Sequence, residues 1–413
     1  MLSFVYTIFV GTYFLLLRFF AFFNSRADLW VKERQAHPLH FPDKSDNEKR
    51  YWIHCASLGE FDQAKPILER LESESDVRIF ISFFSPSGYR QVAHQFSQYH
   101  FFYLPADLPW KMNQLFKDLK PDILLFVKYE LWYHCLRIAK KKGIPAYLFS
   151  AYFHSEQSYF RWPFRSFYRR TFHFFEKIFV LDNSSKQLLL SKGFHETVIA
   201  AGDTRIEQCL KQAEQKYQDA LLEDFCRDEK VLICGSTWPL DEKLLAGFAG
   251  SENHIKFIIA PHDLSEKHLL AMEKTFAACK FAFSTGRKSA QYPIEKDTQI
   301  LIWDQMGSLK YIYRYADVTY VGGGFTGKLH NVLEPAAYFK PILIGPKNKR
   351  FPEAAILKQK GLLKMIAYNE KEMSRAFKTL ISKENLQKAE KKVKNYFFSK
   401  RDAAKMILIG IKE

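Results

Sequence analysis

HCASLGEFDQAKP, residues 54–66, carries an apolar strand through a short polar turn into an amphipathic helix. Residues 51–56 read as the strand, 57–59 as the turn, and apolar positions then recur at helical spacing to about residue 71. A near-continuous apolar strand feeding a helix is the start of a βα unit, the building block of a parallel sheet covered on both faces. Glu60 falls in the first turn of that helix. With Ser57 at the N-cap it fits an S-x-x-E capping box, in which the carboxylate only ties down backbone N–H groups. It also falls at the carboxyl end of a strand, where open α/β sheets bind ligands. The helix dipole is expected to keep it ionised, ready to accept a proton.

The same alternation extends in both directions. Strands are expected at 51–56, 77–83, 122–127, 146–150, 177–181 and 197–200, with helices such as 60–71, 86–96 and 131–142 between them. A polar stretch at 203–230 interrupts the pattern, which then resumes with strands at 231–234, 255–260, 299–303, 317–321 and 341–344. This predicts an α/β protein of two Rossmann-like, doubly wound domains facing a cleft, covering 25–210 and 211–413. The last helices, Lys-rich from about residue 370, are expected to cross back over the first domain.

Residues 1–24 form a separate expectation. They are apolar except for Ser3, Thr7, Gly11, Thr12, Arg18 and Asn24, long enough to cross roughly 30 Å of hydrocarbon. No basic segment precedes the apolar run and no small-x-small cleavage site follows it, against a signal peptide. Arg26, Lys32 and Arg34 come next, which places the bulk of the chain in the cytoplasm. The reading is an N-terminal membrane anchor that either spans the bilayer or lies in its interface.

The 413 residues carry a formal net charge of +16, with 39 Phe and 21 Tyr. Such an excess of positive charge favours an anionic partner: a membrane surface, a phosphorylated or nucleotide substrate, or a nucleic acid. The six cysteines (55, 135, 209, 226, 234 and 279) form no C-x-x-C pair and no zinc spacing. With no DxD or HExxH motif either, no metal site and no cofactor are expected.

Four motifs fall at strand ends in the second half. GSTWPLDE (235–242) offers Ser236 and Thr237 to an anion at a helix start, or simply as N-caps. APHD (260–263) places Pro261 and His262 after the next strand, and WDQMGSLKYIY (303–313) presents Met306, Gly307 and Ser308, which also read as a plain turn. The richest is YVGGGFTGKLHNVLEPAAYFKPILIGP (320–346). Its glycines allow close approach by a ligand or by another chain segment. His330, Asn331 and Glu334 surround a helix start, where Glu334 is placed to accept the ribose hydroxyls of a nucleotide. It is not a GxGxxG dinucleotide fingerprint, which belongs in a first βαβ unit.

Taken together, these stretches carry a family resemblance. HNVLEPAAYFKPILIGP resembles the HNPLEPA-type motif of the 3-deoxy-D-manno-octulosonic acid (Kdo) transferases of lipid A synthesis. HCASLGE is similar to that family's ASVGE motif, YELWYHCLRIAKKKGIPAYL (129–148) to its ELWP…GIP segment, and GSTWPLDE to its G/A-S-T motif. The resemblance implies a GT-B fold and transfer of Kdo from CMP-Kdo to a glucosamine hydroxyl of a phosphorylated lipid A precursor (lipid IVA), with inversion. It makes Glu60 the general base and assigns CMP to Pro261, His262, Met306, Gly307, Ser308, Asn331, Val332, Leu333 and Glu334; Ser236 and Thr237, read above as an anion site, complete the expected CMP-Kdo contacts. The chain departs from the family where His262 replaces an Arg, Ser308 a Glu and Val332 a Pro. Lys328, Lys347 and Lys349 are the candidate cations for the donor phosphate.

The acceptor is expected on the first domain and its membrane side, through Ser57, Gly59, Arg161 and Arg165. The run YFRWPFRSFYRRTFHFF (159–175) interleaves arginines, suited to phosphates, with aromatics suited to the headgroup level. It also fits a basic amphipathic helix packing its rings inward. Nucleic-acid binding is set aside for lack of a recognised module. Two alternatives remain open: a GT-B transferase using another nucleotide sugar on a membrane lipid, and a nonenzymatic membrane-surface protein.

Overall fold

The structure, a computed structural model, describes every residue except Met1, Asn253, 278–283, 290–297 and 349–350. Cys279 and Lys349 therefore lie outside the described residues. The chain divides into two compact units, one of Met1–Glu207 with Asp402–Glu413, the other of Gln208–Arg401.

In the first unit seven strands form one sheet: β1 (Lys49–Cys55), β2 (Val77–Phe83), β3 (His100–Tyr103), β4 (Ile123–Val127), β5 (Ala146–Ala151), β6 (Lys177–Val180) and β7 (Val198–Ala200). Their order is β3-β2-β1-β4-β5-β6-β7, every neighbouring pair parallel. Strand order reverses between β1 and β4, the topological switch point of a doubly wound sheet. Alternate side chains feed two cores. Trp52, Phe80, Leu124 and Phe126 pack on one face with helices Pro109–Leu119 and Tyr133–Lys141. Tyr51, Ile53, Ile81 and Leu125 pack on the other with the helix Leu58–Leu71. The C-terminal helix Ala403–Lys412 closes this second face, its Ile411 carbonyl accepting from the Tyr147 hydroxyl.

The second unit repeats the plan with β8 (Lys230–Thr237), β9 (Ile255–Pro261), β10 (Ser284–Arg287), β11 (Thr298–Ile302), β12 (Val318–Val321), β13 (Ile342–Ile344) and β14 (Leu363–Met365). The order is β10-β11-β9-β8-β12-β13-β14, again parallel, with the reversal between β8 and β12. Edge strands β3, β10 and β14 are absent from the sequence expectation, each being three or four residues long.

The N-terminal helix Leu2–Phe20 packs along the first unit. Tyr6 donates to Asp107 at 2.8 Å, Thr7 lies 2.8 Å from His134 Nε2, Val10 is buried and Phe14 meets Trp30 edge-on. These residues share one helical stripe. Phe4, Ile8, Phe9, Leu15, Leu16 and Phe19 stay exposed, so the other stripe is a continuous apolar surface. A helix bonded to the body at Tyr6 and Thr7 and packed again at Phe14 lies along the unit. By length and composition Ser3–Phe20 is also apolar enough to cross a membrane, so the packing does not choose between the two anchor geometries.

Candidate active site

Glu60 and Glu130 follow β1 and β4, the two strands flanking the switch point of the first unit. Parallel register sets Ile53 beside Leu125 and His54 beside Phe126, so the chain leaves both strands at the same end. Past β1, Ser57 begins the helix Leu58–Leu71 with extended backbone, but its side chain makes no capping hydrogen bond. The expected capping box is thus incomplete. Glu60 reaches back further, accepting the Ala56 N–H at 2.5 Å.

The helix dipole does not decide the charge of Glu60, contrary to the sequence expectation. Burial raises its pKa well above the ordinary carboxylate value, and the nearby Glu130 carboxylate raises it further. The Ala56 N–H and the Lys128 ammonium oppose the shift without cancelling it. Lys128 is held there with a positive φ of 62°, a strained conformation directly after β4.

Glu130 is itself fixed by a polar chain through the sheet. Trp132 Nε1 donates to it at 2.7 Å and His54 Nε2 lies 3.3 Å away. His54 Nδ1 and Trp52 Nε1 both lie 2.8 Å from Ser82 Oγ. Trp52 can only donate, and an ionised Glu130 can only accept. A neutral His54 therefore carries its proton on Nε2 and accepts from the Ser82 hydroxyl, which leaves each named group satisfied. Two carboxylates so placed, one clamped and one with a raised pKa, form an arrangement able to take a proton near neutral pH.

Ser57 and Gly59 flank Glu60 on the exposed side of the turn. A methyl added at Gly59 would meet nothing within 4 Å. Arg161 and Arg165 are exposed, and among the described residues neither bonds to the Glu60 cluster; Arg165 donates instead to the Lys192 carbonyl. In the helix Arg165–Phe172 the rings turn inward, Phe167 stacking on Tyr6 and Phe172 entering the core. Trp162 and Phe164 just before it stay exposed.

In the second unit GSTWPLDE and the glycine-rich motif fall at β8 and β12, the strands flanking the switch point, and APHD at the neighbouring β9, whereas Met306–Ser308 follow β11 one strand further out. Gly322–Gly324 follow β12 and press on backbone: a Cβ at Gly322 would lie 2.2 Å from the Ser236 carbonyl, and one at Gly323 2.1 Å from that of Lys328. Of the two uses the sequence left open for these glycines, contact with other chain segments accounts for both positions. Asp241 pins the loop, accepting from Trp238 N, Gly323 N and the Tyr320 hydroxyl. Ser236 takes a left-handed φ of 53° within β8, at the irregularity in its pairing with β9, and Thr237 is buried, its hydroxyl bonded to Glu242.

Exposed His262 stacks on Trp238 at 4.5 Å and lies 4.6 Å from the ring of His330. Lys328 sits 4.7 Å over the Trp238 ring, joining that stack. Burial, then His262, lowers the His330 pKa to about 4. Pro261 ends β9 and is buried. Asn331 bridges Glu334 and the Leu333 N–H, placing Glu334 on the short helix Leu333–Ala337 behind the buried N-cap residue Val332. Met306 and Gly307 are exposed, and Ser308 accepts from Trp303 Nε1. Lys347 is exposed, its N–H bonded to the Gly324 carbonyl. Among the described residues no group of three His, Cys, Asp or Glu side chains could hold a metal ion.

Sequence reasoning missed Glu130, His54, Ser82, Trp132, Lys128 and Trp238. Glu130 and Trp132 lie inside the quoted YELWYHC run, and His54 opens HCASLGE; pairing them requires knowing that β1 neighbours β4.

Residues 31–208 match the family model of 3-deoxy-D-manno-octulosonic-acid transferase (kdotransferase). A bifunctional glycosyltransferase/methyltransferase of Fusobacterium nucleatum is 26% identical over 382 residues, covering 87% of this chain and 56% of that protein. The chain thus spans little more than half the length of that relative. A 3-deoxy-D-manno-octulosonic acid transferase of Chlamydia trachomatis is 29% identical over 309 residues, 71% of this chain and 69% of its own. Among solved structures, UDP-GlcNAc 2-epimerase from Neisseria meningitidis, bound to UDP-GlcNAc, superposes with a TM-score of 0.62 at 16% identity, over 88% of this chain and 99% of that one. At that identity the likeness shows fold alone: the paired Rossmann-like units of the GT-B class.

Proposed function

We propose, from the premise that this chain is a glycosyltransferase whose first unit belongs to the Kdo transferase family, that it transfers Kdo from CMP-Kdo to a glucosamine hydroxyl of a phosphorylated lipid A precursor such as lipid IVA. The observation that carries the reading is the placement of Glu60 beside the clamped Glu130 at the switch point of the first unit, where burial and then Glu130 raise the Glu60 pKa. A base with a pKa near the working pH is both available and strong enough to matter.

In this reading Glu60 takes the proton of the acceptor hydroxyl as the oxygen lone pair attacks the anomeric carbon of Kdo. The bond from that carbon to the CMP phosphate oxygen breaks, CMP leaves with the electron pair, and the configuration inverts. Burial, and then Glu130 held by Trp132 and His54, keep the Glu60 pKa high. Ser57 and Gly59 border the acceptor hydroxyl, and Arg161 and Arg165 meet acceptor phosphates at the membrane surface. On the second unit Asn331 and Glu334 hold the ribose. Ser236, Thr237, Pro261, His262, Met306, Gly307, Ser308, Val332 and Leu333 border the nucleotide, with Lys328 or Lys347 as the cation. His262 in the place of the family's Arg gives a weaker, pH-dependent phosphate contact, and Ser308 provides a hydroxyl where the family has a carboxylate. The exposed stripe of the N-terminal helix would seat the enzyme on the cytoplasmic face of the inner membrane, within reach of a lipid acceptor.

The test is CMP release by the purified full chain. It should require both CMP-Kdo and the lipid A precursor, with a mass increment of Kdo on the lipid. Release without the acceptor, or thermal protection by UDP but not CMP, would overturn the reading.

A further inference from the structure

A cavity of about 420 Å³ lies where the N-terminal helix meets the body of the first unit. Arg18 of that helix, Arg34 of the helix Ser25–Ala36 and Lys111 of the helix Pro109–Leu119 line it, between Phe14, Trp30 and Leu108. No carboxylate lines the cavity, and among the described residues none of the three cations forms an ion pair. Glu33, adjacent to Arg34 in sequence, is committed to Arg90 and Tyr103.

Arg34 is the most telling of the three. Its guanidinium lies 3.4 Å over the Trp30 ring and donates to the Phe84 carbonyl at 2.8 Å, while its buried Nε has no partner. Burial lowers its pKa to about 9; burial and then Arg18 lower that of Lys111. Arg18 and Lys111 are close enough to repel, Arg34 lines the same cavity, and a set of cations without a counterion among the described residues makes a site for an anion. The aromatic and aliphatic walls, continuous with the exposed stripe of the N-terminal helix, favour an amphiphile over a free ion.

We propose that this cavity binds an anionic membrane phospholipid, its headgroup phosphate held by Arg18 and Lys111 with Arg34 in the wall beside them, and an acyl chain lying against Phe14 and Leu108. The site is separate from the transfer chemistry and rests only on the N-terminal helix lying in the membrane interface.

The experiment uses the full chain and phosphatidylcholine vesicles doped with either phosphatidic acid or diacylglycerol of the same chains. Wild-type protein should bind the phosphatidic acid vesicles at least about tenfold more tightly, and inorganic phosphate should not displace it. Arg18→Gln with Lys111→Gln should abolish most of that preference. Lys391→Gln with Lys392→Gln, which removes the same charge from an exposed helix of the other unit, should leave it. Equal loss in both double variants would reduce the effect to net charge and overturn the proposal, as would displacement by inorganic phosphate. In phospholipid-free detergent micelles the Arg18/Lys111 variant should keep wild-type KM for the glycolipid acceptor. A raised acceptor KM there would reassign the cavity to the acceptor and overturn the phospholipid assignment, whereas absence of transfer in wild type would bear only on the proposed function.

Discussion

Glu60→Gln separates a cap from a base. Glutamine keeps a side-chain oxygen able to accept the Ala56 N–H, so the turn should survive. Exchanging a charged acceptor for a neutral one costs about 1 kcal/mol, and loss of the repulsion from Glu130 works the other way. The sign with pH follows from the raised pKa. Between the ordinary carboxylate pKa and the raised folded value, the folded protein holds a proton that the unfolded chain has released. Wild-type stability therefore falls as pH rises through that window. Every tenfold gain in proton affinity on folding corresponds to about 1.4 kcal/mol; for a carboxylate still partly open to solvent we take about 1–2 kcal/mol in all. Glu60→Gln should thus match wild type near pH 4 and equal or exceed it near pH 8, as read by urea unfolding at each pH. Activity should fall by about 10²–10⁴, the worth of a general base, which is about 3–5 kcal/mol of barrier. In wild type kcat/KM should climb with pH through the raised pKa of Glu60, and the variant should lack that limb. A Glu60→Gln enzyme with more than a tenth of wild-type turnover, or one retaining the same pH limb, would leave Glu60 a structural residue.

Three further outcomes can be checked. Gly59→Ala should fold with equal or slightly higher stability, since its methyl meets no neighbour and Ala is favoured over Gly in a helix by about 1 kcal/mol; if the acceptor borders this turn, its KM rises several-fold, and an unchanged KM removes Gly59 from the acceptor site. Asp241→Ala strands the donors of Trp238 N, Gly323 N and Tyr320 and should cost at least about 3 kcal/mol, visible as a Tm drop of several degrees; an unchanged Tm would refute the account of the glycine loop. The third concerns acid. Burial, then Arg137, lowers the pKa of His134 to about 4, so its contribution to stability is lost as pH falls from about 6.5 toward 4. Asp107 beside it has its pKa raised to about 6 by burial and acts in the opposite sense, so the difference between wild type and His134→Gln is the quantity to measure. That difference should shrink as pH falls, and a pH-independent difference would refute the assignment.

How far the sequence could be read depends on where the physical signal lies. Central strands such as β1 and β4 are buried on both faces and show as apolar runs. At the edge, β3 is His-Phe-Phe-Tyr with its first residue exposed, too short and too mixed to stand out from a loop. The N-terminal helix was legible as apolar, but not its seat, because Tyr6 and Thr7 find their partners in Asp107 and His134, which only the tertiary fold brings near. The site divides in the same way. Glu60 announces itself by its place after a strand, whereas Glu130 acquires meaning only once β1 and β4 are neighbours.

The two switch points also differ in how their buried acids are satisfied. In the second unit Asp241 accepts three hydrogen bonds, and Glu242 receives them from Thr237 and His268. Burial raises both pKa values and these bonds pull them back, so the carboxylates there serve the fold. In the first unit Glu130 takes the comparable bonds, from Trp132 and His54, and its charge then falls on Glu60. Glu60 has the Ala56 N–H as its shortest contact, and Lys128 offsets only part of the repulsion. A purely structural cap would be best served by a carboxylate that ionises easily, as the helix dipole alone would make it. Placing a second, clamped carboxylate beside it works against capping, and the arrangement is understandable if the protein needs Glu60 to hold and release a proton.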